Sequence, residues 1–361
     1  MKYDDHPFIA IWETTQACDL ACQHCRACAR PFRDRGELTS YEGFKLLRAF
    51  GIAKVPLVVL TGGDPAKRPD LAELVYFGRS EGLNMGLTPS ATALVTEELI
   101  SDLASAGLQR LAISIDGPNA AVHDTFRGTS GSFAHALRIL EAARQHGIRT
   151  QVNTTVHAGS IARLGEIATL VSQLESILWS VFFVVPTGRA DVRMLPSPEA
   201  VEVSLDQIAG IAEQAPFAVK TTAAPHYRRV LAERKTDGGS QVQYGVLGKR
   251  GERVNDGRGF MFVSHLGEIY PSGFLPVSCG NVRTSSPIDV YRNHPTFRLL
   301  RDADALTGKC RACVYRNLCG GSRARAYAMT GSFMAPDPLC AYMPPGYEEE
   351  SGLRRRLDVL Q

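Results

Sequence analysis

From residue 8 to about 190, short apolar and β-branched runs alternate with stretches of helical periodicity. Runs at 8–12, 55–60, 85–87, 111–115, 149–153 and 178–185 read as strands, and helical periodicity covers 38–51, 95–106 and 132–146. The strands are apolar on both faces, the pattern of parallel strands covered by helices. Six such units predict an α/β fold built on an open or partial (β/α)6 TIM-type barrel, with chemistry at the C-terminal ends of the strands. The texture then changes. Residues 196–255 read as a bridging segment, with a helix around 204–215, basic helical character at 226–235 and a loop at 238–240. Beyond it come short β-prone runs at 259–264 and 268–270, then cysteine-rich loops. The expected organisation is therefore a barrel over 1–195, a bridge over 196–255, a cysteine-rich domain over 256–345 and a terminal helix or tail over 346–361.

Composition narrows the function classes. Forty basic against 37 acidic residues give a net charge of only +3, which does not point to nucleic acid or a membrane surface. No apolar run approaches the ~20 residues needed to cross a bilayer. The nine cysteines fall in two groups, at 18–28 and 279–340. No signal-type segment precedes the first group, so the chain reads as cytoplasmic and its grouped thiols as metal sites.

The first group is the strongest signal. Cys18, Cys22 and Cys25 stand in a C-x3-C-x2-C run. Three thiolates hold three irons of a [4Fe–4S] cube and leave the fourth open to a non-protein ligand. Structural zinc would need a fourth protein ligand, from Cys28 or His24, and fits the spacing as well; disulfides fit less well. In the second group, Cys310, Cys313, Cys319 and Cys340 form C-x2-C-x5-C-x20-C, a complete set for a closed tetrathiolate site of either zinc or iron–sulfur type. Cys279 reads as a buried hydrophobe.

Further elements stand at predicted strand ends. They are Thr61-Gly62-Gly63-Asp64-Pro65, Ser114-Ile115-Asp116-Gly117 and His123-Asp124-Thr125-Phe126-Arg127-Gly128. Farther on come Tyr270-Pro271-Ser272-Gly273, Gly280-Asn281-Val282, the run from Gly308 to Ala326 around three cysteines, and Asp337-Pro338-Leu339-Cys340. In this ordered set the chain resembles radical S-adenosylmethionine (radical SAM) enzymes that carry a C-terminal SPASM/twitch auxiliary-cluster domain. It is most similar to the branch acting in haem d1 and alternative haem biosynthesis. Asp64 stands where the family usually has Glu. Ser272 and Ser322 stand where SPASM relatives often have cysteine, so one auxiliary cluster is expected.

The resemblance implies a set of roles. Cys18, Cys22 and Cys25 hold a [4Fe–4S] cluster whose open iron binds S-adenosylmethionine, the source of a 5′-deoxyadenosyl radical. Gly62, Gly63 and Asp64 meet its ammonium group; Ser90, Ser114 and Asn153 its ribose or carboxylate; Arg127 its carboxylate. Val185 and Gly188 lie against adenine, and Arg189 faces the substrate. Cys310, Cys313, Cys319 and Cys340 hold one auxiliary [4Fe–4S] cluster. Asp116 reads as a turn residue, Asp124 as a partner of Arg127, and His24 as a solvated loop histidine or, alternatively, a residue that shields the cluster or tunes its hydrogen bonding. Arg258, His265 and Arg283 are candidate clamps for substrate carboxylates. The implied reaction is hydrogen abstraction from a tetrapyrrole side chain, with modification of a ribosomally made peptide as the alternative. The short stretch before the first strand leaves no room for a peptide-recognition module and favours the tetrapyrrole. A flavodoxin or ferredoxin is the expected reductant.

Overall fold

In the computed structural model, residues 3–236 and 254–348 are described. The chain builds one nine-stranded sheet in the order β7-β6-β5-β4-β3-β2-β1-β8-β9. The strands are β1 (Ile9–Glu13), β2 (Leu57–Thr61), β3 (Met85–Leu87), β4 (Arg110–Ser114), β5 (Arg149–Val156), β6 (Leu178–Phe183), β7 (Ala218–Thr222), β8 (Phe260–Val263) and β9 (Ile269–Tyr270). Every pairing is parallel except that of β8 with β9. The sheet curls into an open half-barrel.

Helices α1 (Ser40–Ile52), α2 (Leu71–Ser80), α3 (Glu97–Ser105), α4 (Ala120–Arg127), α5 (Ser132–Gln145), α6 (Leu164–Gln173), α7 (Pro198–Gln214) and α8 (His226–Thr236) accompany the strands. The first starts on a capping box between Thr39 and Glu42, which satisfies two otherwise orphaned amides. Alternation along the strands sends Trp12, Leu60, Leu111, Ile113, Val152, Trp179 and Val181 into the core beneath the helices. The packing is close: a Cβ on Gly43 of α1 would lie 2.5 Å from the Trp12 ring.

The barrel has one strand more than the six expected. Residues 198–236, read as a bridge, form a further helix–strand–helix unit, with β7 paired to β6 from Leu178↔Ala218 to Phe182↔Thr222. Helix α7 also starts earlier than expected, because Ser197 caps it and Pro198 occupies its first turn. The β-prone run at 259–264 joins the same sheet, running parallel to β1 with Ile9 opposite Phe260. Four short helices follow, α9 (Pro287–Asn293), α10 (Pro295–Arg301), α11 (Gly308–Ala312) and α12 (Arg323–Thr330). The expected loop at 238–240 and most of the terminal segment lie outside the described residues. Among those described, no helix is long and apolar enough to cross a membrane.

Candidate active site

The cysteine loop follows directly from the C-terminal end of β1, and neighbouring strand ends clamp it through glycines. The Gly63 amide donates to Thr15 O at 2.8 Å and the Asp64 amide to Ala17 O at 2.6 Å. A Cβ on Gly62 would lie 2.5 Å from Thr15 O, and one on Gly63 2.4 Å from Ala17 O. Only glycine admits that approach. Beyond α4, Gly128 (φ +65°) places its Cα where a Cβ would meet Ala21 O at 2.7 Å. After β6, Gly188 (φ +69°) does the same against Cys25 O at 2.5 Å, and the Arg189 amide donates to Cys25 O at 3.0 Å. Three clamps thus fix the loop before Cys18, between Cys18 and Cys22, and at Cys25.

Donors surround the sulfurs. The Leu20 amide donates to Cys18 Sγ at 3.3 Å and the Ala29 amide to Cys25 Sγ at 3.4 Å. Arg127 Nη1 reaches Cys22 Sγ at 3.7 Å, and Ser90 Oγ lies 3.3 Å from Cys18 Sγ. Burial pushes the Cys18 thiol up to about 11, so holding it as the thiolate that binds metal calls for positive charge beside it. Three thiols on one loop, with N–H donors at each sulfur, fall one short of the four protein ligands that close a structural zinc site. A larger cluster with one open iron fits the donor set.

Several expected roles change in this setting. The Asp64 carboxylate is fully buried and already engaged, accepting from Thr92 Oγ1 at 2.6 Å, the Ala66 amide at 3.1 Å and the Ser90 amide at 3.3 Å. It shapes the loop after β2. Ser90 Oγ donates to Gly63 O at 2.7 Å and ties that loop to β3. Asp116 is no mere turn residue: it accepts from Arg127 Nε at 2.6 Å and aims the guanidinium at Cys22. Burial opposes its ionisation, but the Arg127 charge holds its carboxyl below the usual range. Asp124 does not pair with Arg127; it takes up the Gly131 and Phe133 amides and the Ser132 hydroxyl at the start of α5. His24 is half-buried rather than a free loop histidine. It stacks on Phe126 at 4.2 Å, which stacks on His157 at 4.3 Å, and burial together with the Arg127 charge pushes it down to about 3.

Ser114 and Asn153 share one rung of the sheet, and Asn153 Oδ1 accepts from Gln151. Val185 is buried in an apolar cluster with Leu275 and Cys310, so it packs against the C-terminal module. Arg189 is exposed. The three candidate clamps are engaged elsewhere. Arg283 pairs with Glu42 at 2.6 Å, Arg258 donates to Arg301 O at 3.5 Å, and His265 Nδ1 meets Glu13 at 2.8 Å. Glu13 also binds Arg26, which follows Cys25 and covers the Phe262 ring at 4.6 Å. The sequence gives no sign of this link between cysteine loop, β1 and β8.

Residues 12–167 match the family model described as the radical SAM superfamily. An AdoMet-dependent heme synthase of Oleidesulfovibrio alaskensis is 38% identical over 93% of this chain and 87% of its own length. The chain belongs to the radical SAM superfamily. A mycofactocin maturase MftC of Mycobacterium ulcerans is 28% identical over 96% of this chain and 91% of its own. Among solved structures, Streptococcus suis SuiB bound to S-adenosylmethionine superposes with a TM-score of 0.71 at 16% identity. That likeness covers 94% of this chain and 78% of the other, and it concerns the fold. Enzymes of this superfamily use a [4Fe–4S] cluster and S-adenosylmethionine.

In this radical SAM chain the second thiol group also assembles. Cys310, Cys313, Cys319 and Cys340 line one cavity beside His226 and Arg229. The Gly321 amide donates to Cys319 Sγ at 3.4 Å, and Arg323 Nη2 approaches Cys310 Sγ at 3.9 Å. Behind them Arg325 and Asp337, both fully buried, pair at 2.9 Å, and His226 Nε2 stands 3.2 Å from Asp337. Burial disfavours the His226 charge, but Asp337 raises it to about 9. Arg325 also donates to Ala223 O and Val184 O, joining the module to the ends of β7 and β6. Four thiols among cations suit a tetrathiolate cluster. Ser322, expected as a cysteine replacement, caps α12, whereas the buried Ser272 hydroxyl has no partner among the described residues. His226 and Arg229 lie in the segment read as a bridge.

Proposed function

We propose that this radical SAM enzyme abstracts hydrogen from a carboxylate-bearing tetrapyrrole and converts its propionate side chains by oxidative decarboxylation. The thiol loop carries the radical SAM part of this reading: three cysteines at strand ends, with donors aimed at their sulfurs. Cys18, Cys22 and Cys25 would hold the catalytic [4Fe–4S] cluster, and Cys310, Cys313, Cys319 and Cys340 one auxiliary [4Fe–4S] cluster. When bound, the catalytic cluster and S-adenosylmethionine supply the 5′-deoxyadenosyl radical.

The protein's part is placement and exclusion of water. Gly62, Gly63 and Gly188 keep the backbone close to the thiol loop, and Asp64 and Ser90 brace it. Arg127, positioned by Asp116, sets a positive charge beside Cys22 for the cluster and for the carboxylate of S-adenosylmethionine. Ser114 and Asn153 offer hydrogen bonds at the strand ends, and Val185 secures the loop that ends at Gly188. A flavodoxin or ferredoxin supplies the electron. The units follow 1–195 for the catalytic barrel, extended here by β7, and 256–345 for the auxiliary module.

The substrate choice rests on likeness to the heme synthase. The maturase relative supports a second reading, modification of a ribosomally made peptide. The test is to supply iron-coproporphyrin to the anaerobic, reduced enzyme. Conversion of a propionate to vinyl releases carbon dioxide, passes one hydrogen atom to the 5′-deoxyadenosyl radical and a proton to solvent, and leaves one electron, which the auxiliary cluster or an added one-electron oxidant would take up. Products with that mass loss, formed with 5′-deoxyadenosine, support the proposal. Failure of iron-coproporphyrin and sirohaem derivatives either to bind or to accelerate cleavage refutes it.

A further inference from the structure

The concave face of the half-barrel holds cations that no part of the site described so far uses. Residues alternate along each strand. Since Leu111, Ile113, Val152, Trp179, Val181 and Val219 pack under the helices, Arg110, Ser114, Asn153, Ser180 and Lys220 face the other way. Register lines Ser114, Asn153, Ser180 and Lys220 along one rung. Arg110 lies four residues lower on β4, roughly 13 Å towards the barrel floor, beside Arg149 at its rim.

This polar face is unsatisfied. Among the described residues the fully buried Ser180 hydroxyl has no partner, and neither does the buried Arg110 Nε. The charges that act on Arg110 and Lys220 are those of other cations: Arg149 on Arg110, and Arg110 on Lys220. Burial, reinforced by Arg110, brings Lys220 down to about 8. Among the described residues no carboxylate pairs with either. Two like charges brought together on a partly buried face repel each other, and an arriving anion would reverse that cost.

We propose that Arg110 and Lys220 form a carboxylate-binding site on the concave face, holding acid side chains of the substrate while the carbon to be attacked faces the cysteine loop. The site deepens the functional reading above and rests on its claim that the substrate carries carboxylates. The unpartnered Ser180 hydroxyl, between Asn153 and Lys220, supplies a neutral donor to the same anion. A charge-assisted fork at Arg110 and a point charge at Lys220 suit carboxylates set apart on one large molecule.

The test uses the anaerobically reconstituted full chain and two probes, iron-coproporphyrin III followed by its Soret band and a tetraglutamate peptide followed by calorimetry. Arg110→Gln and Lys220→Met should each weaken binding about tenfold or more, with Lys220→Arg restoring it. The tetramethyl ester of the porphyrin should bind the unaltered enzyme no better than the free acid binds Lys220→Met. Thermal unfolding separates this role from a structural one. Relief of like-charge repulsion should leave the melting temperature of Lys220→Met unchanged or higher, whereas a structural lysine would lower it. Iron-coproporphyrin binding that depends on both cations supports the site and the tetrapyrrole reading together. Cation-dependent binding of the peptide, with no porphyrin binding, supports the site while overturning the tetrapyrrole. Binding of either acid that is indifferent to neutralisation, or no binding of either, overturns the site.

Discussion

Gly63→Ala tests whether close backbone approach is what sets the thiol trio. The added Cβ would lie 2.4 Å from Ala17 O and 2.5 Å from Gln16 O, about 1 Å inside the 3.4 Å at which ordinary contact begins. Both obstacles are backbone atoms, so no side chain can swing aside. The segment next to Cys18 must therefore move by about the same distance. A misplacement of ~1 Å at a reacting centre costs about 10²-fold in rate. The assay is dithionite-driven release of 5′-deoxyadenosine, run with an iron count on the same sample. Gly131→Ala is the control. It carries a φ of +82° with nothing within 4 Å, so it should cost roughly 1–2 kcal/mol in stability while cleavage stays near the original rate. A Gly63→Ala enzyme that keeps full iron and the original rate would refute the argument that this contact places the trio.

Other predictions follow from buried charge and from space. Burial opposes the Glu13 charge, but Arg26 and His265 hold its pKa down at about 2 from 4.5. Its stabilisation, roughly 3 kcal/mol, is complete above the unfolded value and lost as pH falls towards the folded one. Denaturant titrations should therefore show Glu13→Gln less stable at neutral pH and the gap to the original protein closing between about pH 5 and pH 2; a constant gap would contradict the assignment. Arg325→Met strips the buried Asp337 of its closest cation and should cost about 3–5 kcal/mol in chemical unfolding. Unchanged stability would mean that the pair does not join module to barrel. Gly210→Ala, in α7 with nothing within 4 Å, should add about 0.5–1 kcal/mol; a loss would show that the helix face is closed.

The family was legible where residue type and spacing carry it. The thiol trio, Gly62-Gly63-Asp64 and the six apolar strands needed no tertiary information. Strand β7 escaped because Ala-Val-Lys-Thr-Thr is not apolar on both faces, and its inward Lys220 reads as a loop residue. The pairing of β8 with β1 spans some 250 residues, which no local pattern encodes. The clamp candidates failed for a related reason. Arg283 and His265 find carboxylates, Glu42 and Glu13, on elements far away in sequence. Gly128 and Gly188 look like ordinary turn glycines until the thiol loop is seen lying against them.

The central claim is that Cys18, Cys22 and Cys25 make an open-sided site that turns S-adenosylmethionine into a radical source. Its most direct test measures iron and reductant-dependent 5′-deoxyadenosine in the unaltered protein and in a Cys18→Ala/Cys22→Ala/Cys25→Ala variant. The prediction is about eight irons with cleavage in the first, and about four irons with none in the second. Cleavage that survives loss of the trio, or stoichiometric zinc in place of iron, would contradict it.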